Sequence, residues 1–162
     1  MYKANDAVIY GFEGVCIITG KTERIIADKT ETYYELKPFY SKNAIVFIPV
    51  NNEKLLQKIR PVMPSHEAQS LLDSADSLVS EFVYEDNEIS RKQMYRDILH
   101  SYDCTKLFHL IKMLHYRKNV LGKKPRLCDE RALQDAEKAV SEEIAYSLGR
   151  PLADIKNIIH QI

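Results

Sequence analysis

Hydrophobic positions in the first 60 residues come in short runs rich in β-branched and aromatic side chains, and none recurs with a helical period. Residues 7–10 (Ala-Val-Ile-Tyr) predict a first strand, ended by Gly11 and Gly14. Residues 15–19 predict a second, broken or bulged at Gly20 and resumed at Arg24-Ile25-Ile26. Residues 27–30 read as a turn, residues 32–37 as a third strand and residues 44–50 as a fourth. Pro49 restricts the fourth strand to an edge, because proline donates no ladder hydrogen bond. Four or five short strands joined by tight turns point to a small β barrel.

From Pro64 onward the period lengthens to that of a helix. Ser65 is placed to cap a first helix with Leu71, Leu72, Ala75, Leu78 and Val79 on one face. Asn87 or Ser90 starts a second, with Met94, Tyr95, Ile98 and Leu99 inward, and Asp103 a third, striped by Leu107, Leu110, Ile111 and Leu114. After the break at Gly122-Lys123-Lys124-Pro125, a fourth helix carries Leu133, Ala136, Val140, Ile144 and Leu148 and stops at Gly149. Pro151 opens a short last helix with Ile155, Ile158 and Ile159. The change of period, between Arg60 and Pro64, divides the chain into residues 1–62 and 63–162. The expected class is α+β, a small β barrel followed by about five helices.

The charges of the 162 residues cancel, 23 Lys and Arg against 23 Asp and Glu, but they are segregated. Residues 65–90 hold seven acids and no Lys or Arg, whereas residues 91–131 hold eleven Lys and Arg against four acids, a net +7. Such a block can meet phosphates or form a solvated face paired with the acidic stretch. Three widely spaced cysteines, Cys16, Cys104 and Cys128, suit reduced thiols in the cytoplasm better than a disulfide framework. The longest apolar run, residues 44–50, is too short to cross a bilayer, and no leader-like pattern opens the sequence.

Catalytic patterns are missing. Gly122-Lys123-Lys124 lacks the upstream glycine and following hydroxyl of a phosphate-binding loop. The histidines, among them His109 and His115 on opposite sides of one helix, have no metal-ligand spacing, and neither Cys104 nor Cys128 has a CxxC partner. Glu142-Glu143 reads as a surface pair rather than a carboxylate dyad. The expectation is a protein that is not an enzyme and needs no cofactor, metal or small-molecule substrate.

The opening Tyr2-Lys3-Ala4-Asn5-Asp6-Ala7-Val8-Ile9-Tyr10, with Gly14-Val15, resembles the start of CarD/CdnL-like bacterial transcription regulators. The same module forms the RNA-polymerase-interacting domain of transcription-repair coupling factors. The fourth strand with Pro49, followed by Ile59-Arg60-Pro61, is similar to a later segment of that family. In the helical half, Ser101-Tyr102-Asp103, Leu110-Ile111-Lys112, Gly122-Lys123-Lys124 and Asp129-Glu130-Arg131 match in order, and the resemblance extends to about Leu148. It implies a Tudor-like barrel docked on the RNA polymerase β subunit, through Arg24, Ile45, Val46, Phe47 and Ile48. It also implies a helical domain that contacts promoter DNA and biases open-complex formation, the basic block supplying Arg91, Lys92, Arg96, Lys123, Lys124 and Arg126 to phosphates. The chain departs from the pattern at Asn5 and Tyr102, where the family carries glycine, at Phe47, where it carries a basic residue, and in having no tryptophan to wedge into the minor groove. Phe82, Tyr84 and Ile89 are the candidate wedges in its place. The competing expectation is an adaptor whose helices bind protein rather than DNA.

Overall fold

The structure is a computed structural model that describes residues 2–77 and 79–162. The chain forms two compact units, Met1–Val62 and Met63–Ile162. The first holds β1 (Ala7–Tyr10), a single 3-10 turn (Gly11–Glu13), β2 (Val15–Ile26), β3 (Lys29–Pro38), β4 (Val46–Pro49), the short helix α1 (Glu53–Leu56) and β5 (Ile59–Pro61). All pairings are antiparallel and the strand order is β4-β3-β2-β1-β5. This corrects the expected closed barrel: β4 and β5 are the edges of an open sheet.

Local chemistry explains where the strands depart from their expected bounds. β2 runs through Gly20 because Thr19 is accommodated as a bulge between the Ile18–Leu36 and Gly20–Glu35 pairs, its Oγ1 donating to the Glu35 carboxylate at 2.8 Å. Only Ala27 and Asp28 make the turn to β3, both at positive φ (49° and 62°), as a two-residue type I′ hairpin requires. β4 begins only at Val46, after a turn in which Asn43 takes φ 67°. Alternation sends Val8, Cys16, Ile18, Tyr34, Leu36, Ile48 and Ile59 into one core, with Leu55 and Leu56 of α1 packed against it.

The second unit holds α2 (Ser65–Asp73), α3 (Glu88–Ser101), α4 (Cys104–His115) followed by a π turn (Tyr116–Val120), α5 (Leu127–Leu148) and α6 (Leu152–His160). Asn87 caps α3 by accepting from the Ile89 and Ser90 amides, and Asp103 caps α4 by accepting from Lys106. Ser65 is the first residue of α2, which Pro64 precedes as the cap. The core is built from Tyr95, Ile98, Leu107, Phe108, Leu110, Ile111, Ala136, Val140, Ile144, Ile155 and Ile159. Two expectations fail here. α2 stops at Asp73, so Val79 lies beyond the helix and 86% exposed, and Leu78, expected on the same stripe, lies outside the described residues. Glu142 and Glu143 are both buried, the latter because its Oε1 accepts from the Met63 amide at 2.9 Å.

Both family glycine positions fall where the backbone is left-handed, with Asn5 at φ 72° and Tyr102, the residue ending α3, at φ 51°. Asparagine tolerates that region and a bulky side chain does so at a cost. Tyr102→Gly is therefore expected to leave the melting temperature unchanged or raised. Tyr102→Val should lower stability by about 1–2 kcal/mol in denaturant titrations.

Candidate functional site

The exposed edge of the sheet is defined by how β4 pairs. The Val50 amide donates to the Thr32 carbonyl at 3.0 Å, and the register Tyr34–Ile48 and Leu36–Val46 continues that alternation. Val46 and Ile48 therefore direct their main-chain groups to β3, while Phe47 and Pro49 direct theirs outward. Ile48 is fully buried and fixes the strand to the core, and Val46 packs partly on the same core. What the edge offers outside is the Phe47 backbone and the half-exposed Ile45, because Pro49 has no N–H and its carbonyl already accepts from the Asn52 amide at 3.1 Å. The Phe47 ring lies on the face opposite the core, and the Arg24 guanidinium from β2 sits 3.6 Å above its centroid. Tyr33, on the same face, donates its hydroxyl to Glu31 at 2.8 Å, which raises its pKa above the ordinary tyrosine value. Two residues far apart in sequence, Arg24 and Phe47, are thus brought into one cation–aromatic contact.

In the helical unit the candidate residues fall into two groups. Arg91 is 0% exposed and Asp129 2%, and they pair across α3 and α5 with Nε 3.3 Å from Oδ1. Arg91 also donates Nη1 to the Glu85 and Asp86 carbonyls at 2.9 and 3.1 Å, and Nη2 to the Cys128 sulfur at 3.7 Å. Asp129 accepts from the Tyr95 hydroxyl at 2.8 Å, the Tyr84 hydroxyl at 3.1 Å and the Arg126 amide at 2.9 Å. Burial pushes the Asp129 carboxyl up, but those hydrogen bonds and the Arg91 charge outweigh it and leave it below the usual carboxylate value. The Tyr84 ring lies under a second guanidinium, Arg117, at 3.4 Å.

Arg91 therefore has no surface to offer a phosphate, contrary to its expected role, and the partly buried Tyr84 is held by Asp129 and Arg117. Phe82 is half-buried beside them. Its ring meets His109 edge-on at 6.3 Å, while the adjacent Ser80 hydroxyl and Glu81 amide bond to the His109 carbonyl and Nδ1 at 2.8 and 3.0 Å. The segment between α2 and α3 is thereby strapped down at both ends.

The remaining candidates face solvent. Ile89, 82% exposed in the first turn of α3, precedes Lys92 and Arg96 by three and seven residues, so all three share one face. Lys92 pairs with Glu88, and Arg96 donates to Gln93 at 3.2 Å. The Arg126 charge also reaches Glu88, whose carboxyl is lowered chiefly by Lys92, so Arg126 lies toward the start of α3. Lys123 and Lys124 are exposed in the loop that leads to it.

Residues 2–62 match the family model of the CarD-like/TRCF RID domain, and that span coincides with the first compact unit. The unit is a CarD-like RNA-polymerase-interacting domain. No curated protein matches the chain. The CarD-like domain carries the open edge and the Arg24–Phe47 contact, so a transcription-related, polymerase-binding role belongs to the unit in which those two residues meet.

Sequence reasoning missed Asp129 as the centre of the helical unit. Its partner is 38 positions away, and a lone acid three residues into a helix signals only a cap. It also missed Glu137 of α5, which accepts from His115 at 2.8 Å and lies 3.1 Å from His160, joining α4, α5 and α6. Among the described residues no cluster of His, Cys, Asp or Glu has metal-binding geometry, and no helix is long and apolar enough to cross a membrane.

Asp129→Asn keeps the shape of the side chain but strands a buried guanidinium, and should cost about 3–5 kcal/mol in denaturant unfolding. Lys124→Glu, on the surface, should stay within about 0.5 kcal/mol. Asp129 and Glu137 both have lowered folded-state values. Their stabilisation is therefore complete above the unfolded carboxylate range, near pH ~4, and is lost as pH falls through the lowered values. Thermal melts from neutral to strongly acid pH should fall steeply below about pH 4 for the parent and less steeply for Asp129→Asn.

Proposed function

We propose that the protein is a non-enzymatic transcription regulator that bridges RNA polymerase and promoter DNA and modulates open-complex formation. The CarD-like domain docks on the β subunit by adding a partner strand to the outer edge of β4, with the Phe47 and Ile45 backbone as the pairing groups and the Arg24–Phe47 stack as the side-chain contact. The open edge, with its core side fixed by Ile48, is the observation that carries this reading. Pro49 ends the pairing, so the added strand is short.

The helical unit supplies Lys92, Arg96, Lys123, Lys124 and Arg126 to DNA phosphates, a mode with little sequence preference because phosphate contacts carry no sequence information. Ile89, exposed on the face that carries Lys92, is the side chain suited to act as an apolar wedge. A factor of this kind shifts the closed-to-open equilibrium only by its differential affinity for the two states, and a wedge that fits only opened DNA provides such a difference.

Arg24→Glu and Phe47→Glu in the full chain should weaken binding to RNA polymerase about tenfold or more at an unchanged melting temperature, measured by surface-immobilised titration. Retained affinity in both variants would refute edge docking. Reversing Lys123, Lys124 and Arg126 should leave polymerase affinity intact. It should flatten the log–log salt dependence of promoter binding by about 0.9 per lost phosphate contact. An unchanged slope would remove these residues from the DNA interface.

A further inference from the structure

The helical unit also contains a groove of about 700 Å³ between residues 76–77 and 79–86 on one side and the C-terminal end of α4 with its π turn on the other. Its apolar lining includes Val79 and Val83, with the rings of Phe82 and Tyr84, on one wall and Met113, Tyr116, Val120 and Leu121 on the other. Val83 is 84% and Val120 66% exposed, values that intramolecular packing does not account for. Alternation along the strap explains why: Phe82 and Tyr84 turn inward to His109 and Asp129, so Val83 between them must turn out. Because the strap is tied through Ser80, Glu81 and Tyr84, the groove is formed before any partner arrives.

Charge indicates what the groove takes. The strap wall carries Asp76 and Asp86, and the helix wall carries Lys112 and Arg117. A nucleic-acid backbone entering between them would face carboxylates along one side. An amphipathic protein helix would not, provided it carries Lys or Arg along the edge toward the strap and Asp or Glu along the edge toward α4. We propose that this groove is a docking site for such an amphipathic helix, belonging to a protein of the transcription complex to which the CarD-like domain brings the chain. The apolar stripe of the helix seats between Val83 and Leu121, in the manner of helix-in-groove recognition. The chain then has a protein contact in its helical unit separate from the exposed lysines assigned to DNA. The identity of the complex rests on the polymerase-docking reading.

A photo-crosslinking amino acid placed singly at Val83, Leu121 or Phe47 of the full chain, irradiated with RNA polymerase holoenzyme on promoter DNA, tests this. Val83 and Leu121 are expected to crosslink to a protein subunit, and Val83→Asp in the Leu121-labelled chain should reduce that yield at least fivefold at an unchanged melting temperature. Crosslinks from Val83 and Leu121 to DNA, or none at all, overturn the groove proposal whatever Phe47 does. Loss of the Phe47 crosslink alone overturns edge docking and leaves the groove standing.

Discussion

The helical unit is organised around one buried ion pair, Arg91 with Asp129. Two charges removed from water are tolerable only when most of their hydrogen-bonding capacity is met, and here all but the Arg91 Nε, which keeps only its ion-pair contact to Asp129, is supplied from three directions. The Arg91 guanidinium takes the Glu85 and Asp86 carbonyls, and the Asp129 carboxylate takes two tyrosines and the first turn of its own helix. The pair thereby fixes α3 against α5 and pins the segment before α3. That segment can then carry Val83 outward and Phe82 inward with no regular secondary structure of its own. The presentation of Ile89 at the start of α3 depends on the same anchor, because the cap residue Asn87 directly follows the tethered Asp86 carbonyl.

This arrangement also reorganises the charge seen in sequence. The +7 of residues 91–131 is not one face. Arg91 is internal, Lys112 donates to the Ala75 carbonyl at 2.6 Å beyond the end of α2, and Arg117 lies on Tyr84. Three of the eleven cations therefore hold the unit together, and the surface is left with eight, Lys92, Arg96, Lys106, Lys118, Lys123, Lys124, Arg126 and Arg131. In the proposed function, a surface thinned in this way would make only a weak phosphate contact and would depend on the other unit's polymerase docking to be held near DNA.

Much of the fold was legible because its signals are local. Period and caps placed α3 through Asn87 and α4 through Asp103, and the αL positions at Asn5 and Tyr102 follow from the family's glycines. The short run Ile59-Arg60-Pro61 joins the sheet only because β1 presents an edge to it, which no local pattern announces. Val79 fell on a helical stripe by spacing, but α2 ends before reaching it. The site was legible in part. Arg24 and Phe47 were named from resemblance, and their contact at 3.6 Å needed the register of three strands. Arg91 looked like any other cation of its block, since burial is a property of its partner Asp129 and not of its neighbours in sequence.

Main-chain pairing is the central claim, and it makes a residue-level demand. The Phe47 amide points out of the sheet, whereas the Val46 and Ile48 amides are already committed to β3. Amide hydrogen exchange on the full chain, resolved to single residues with and without RNA polymerase, reads this directly. The account predicts marked slowing at Phe47 on complex formation, with Val46 and Ile48 little changed. A Phe47 amide that exchanges equally fast in the polymerase complex would contradict it.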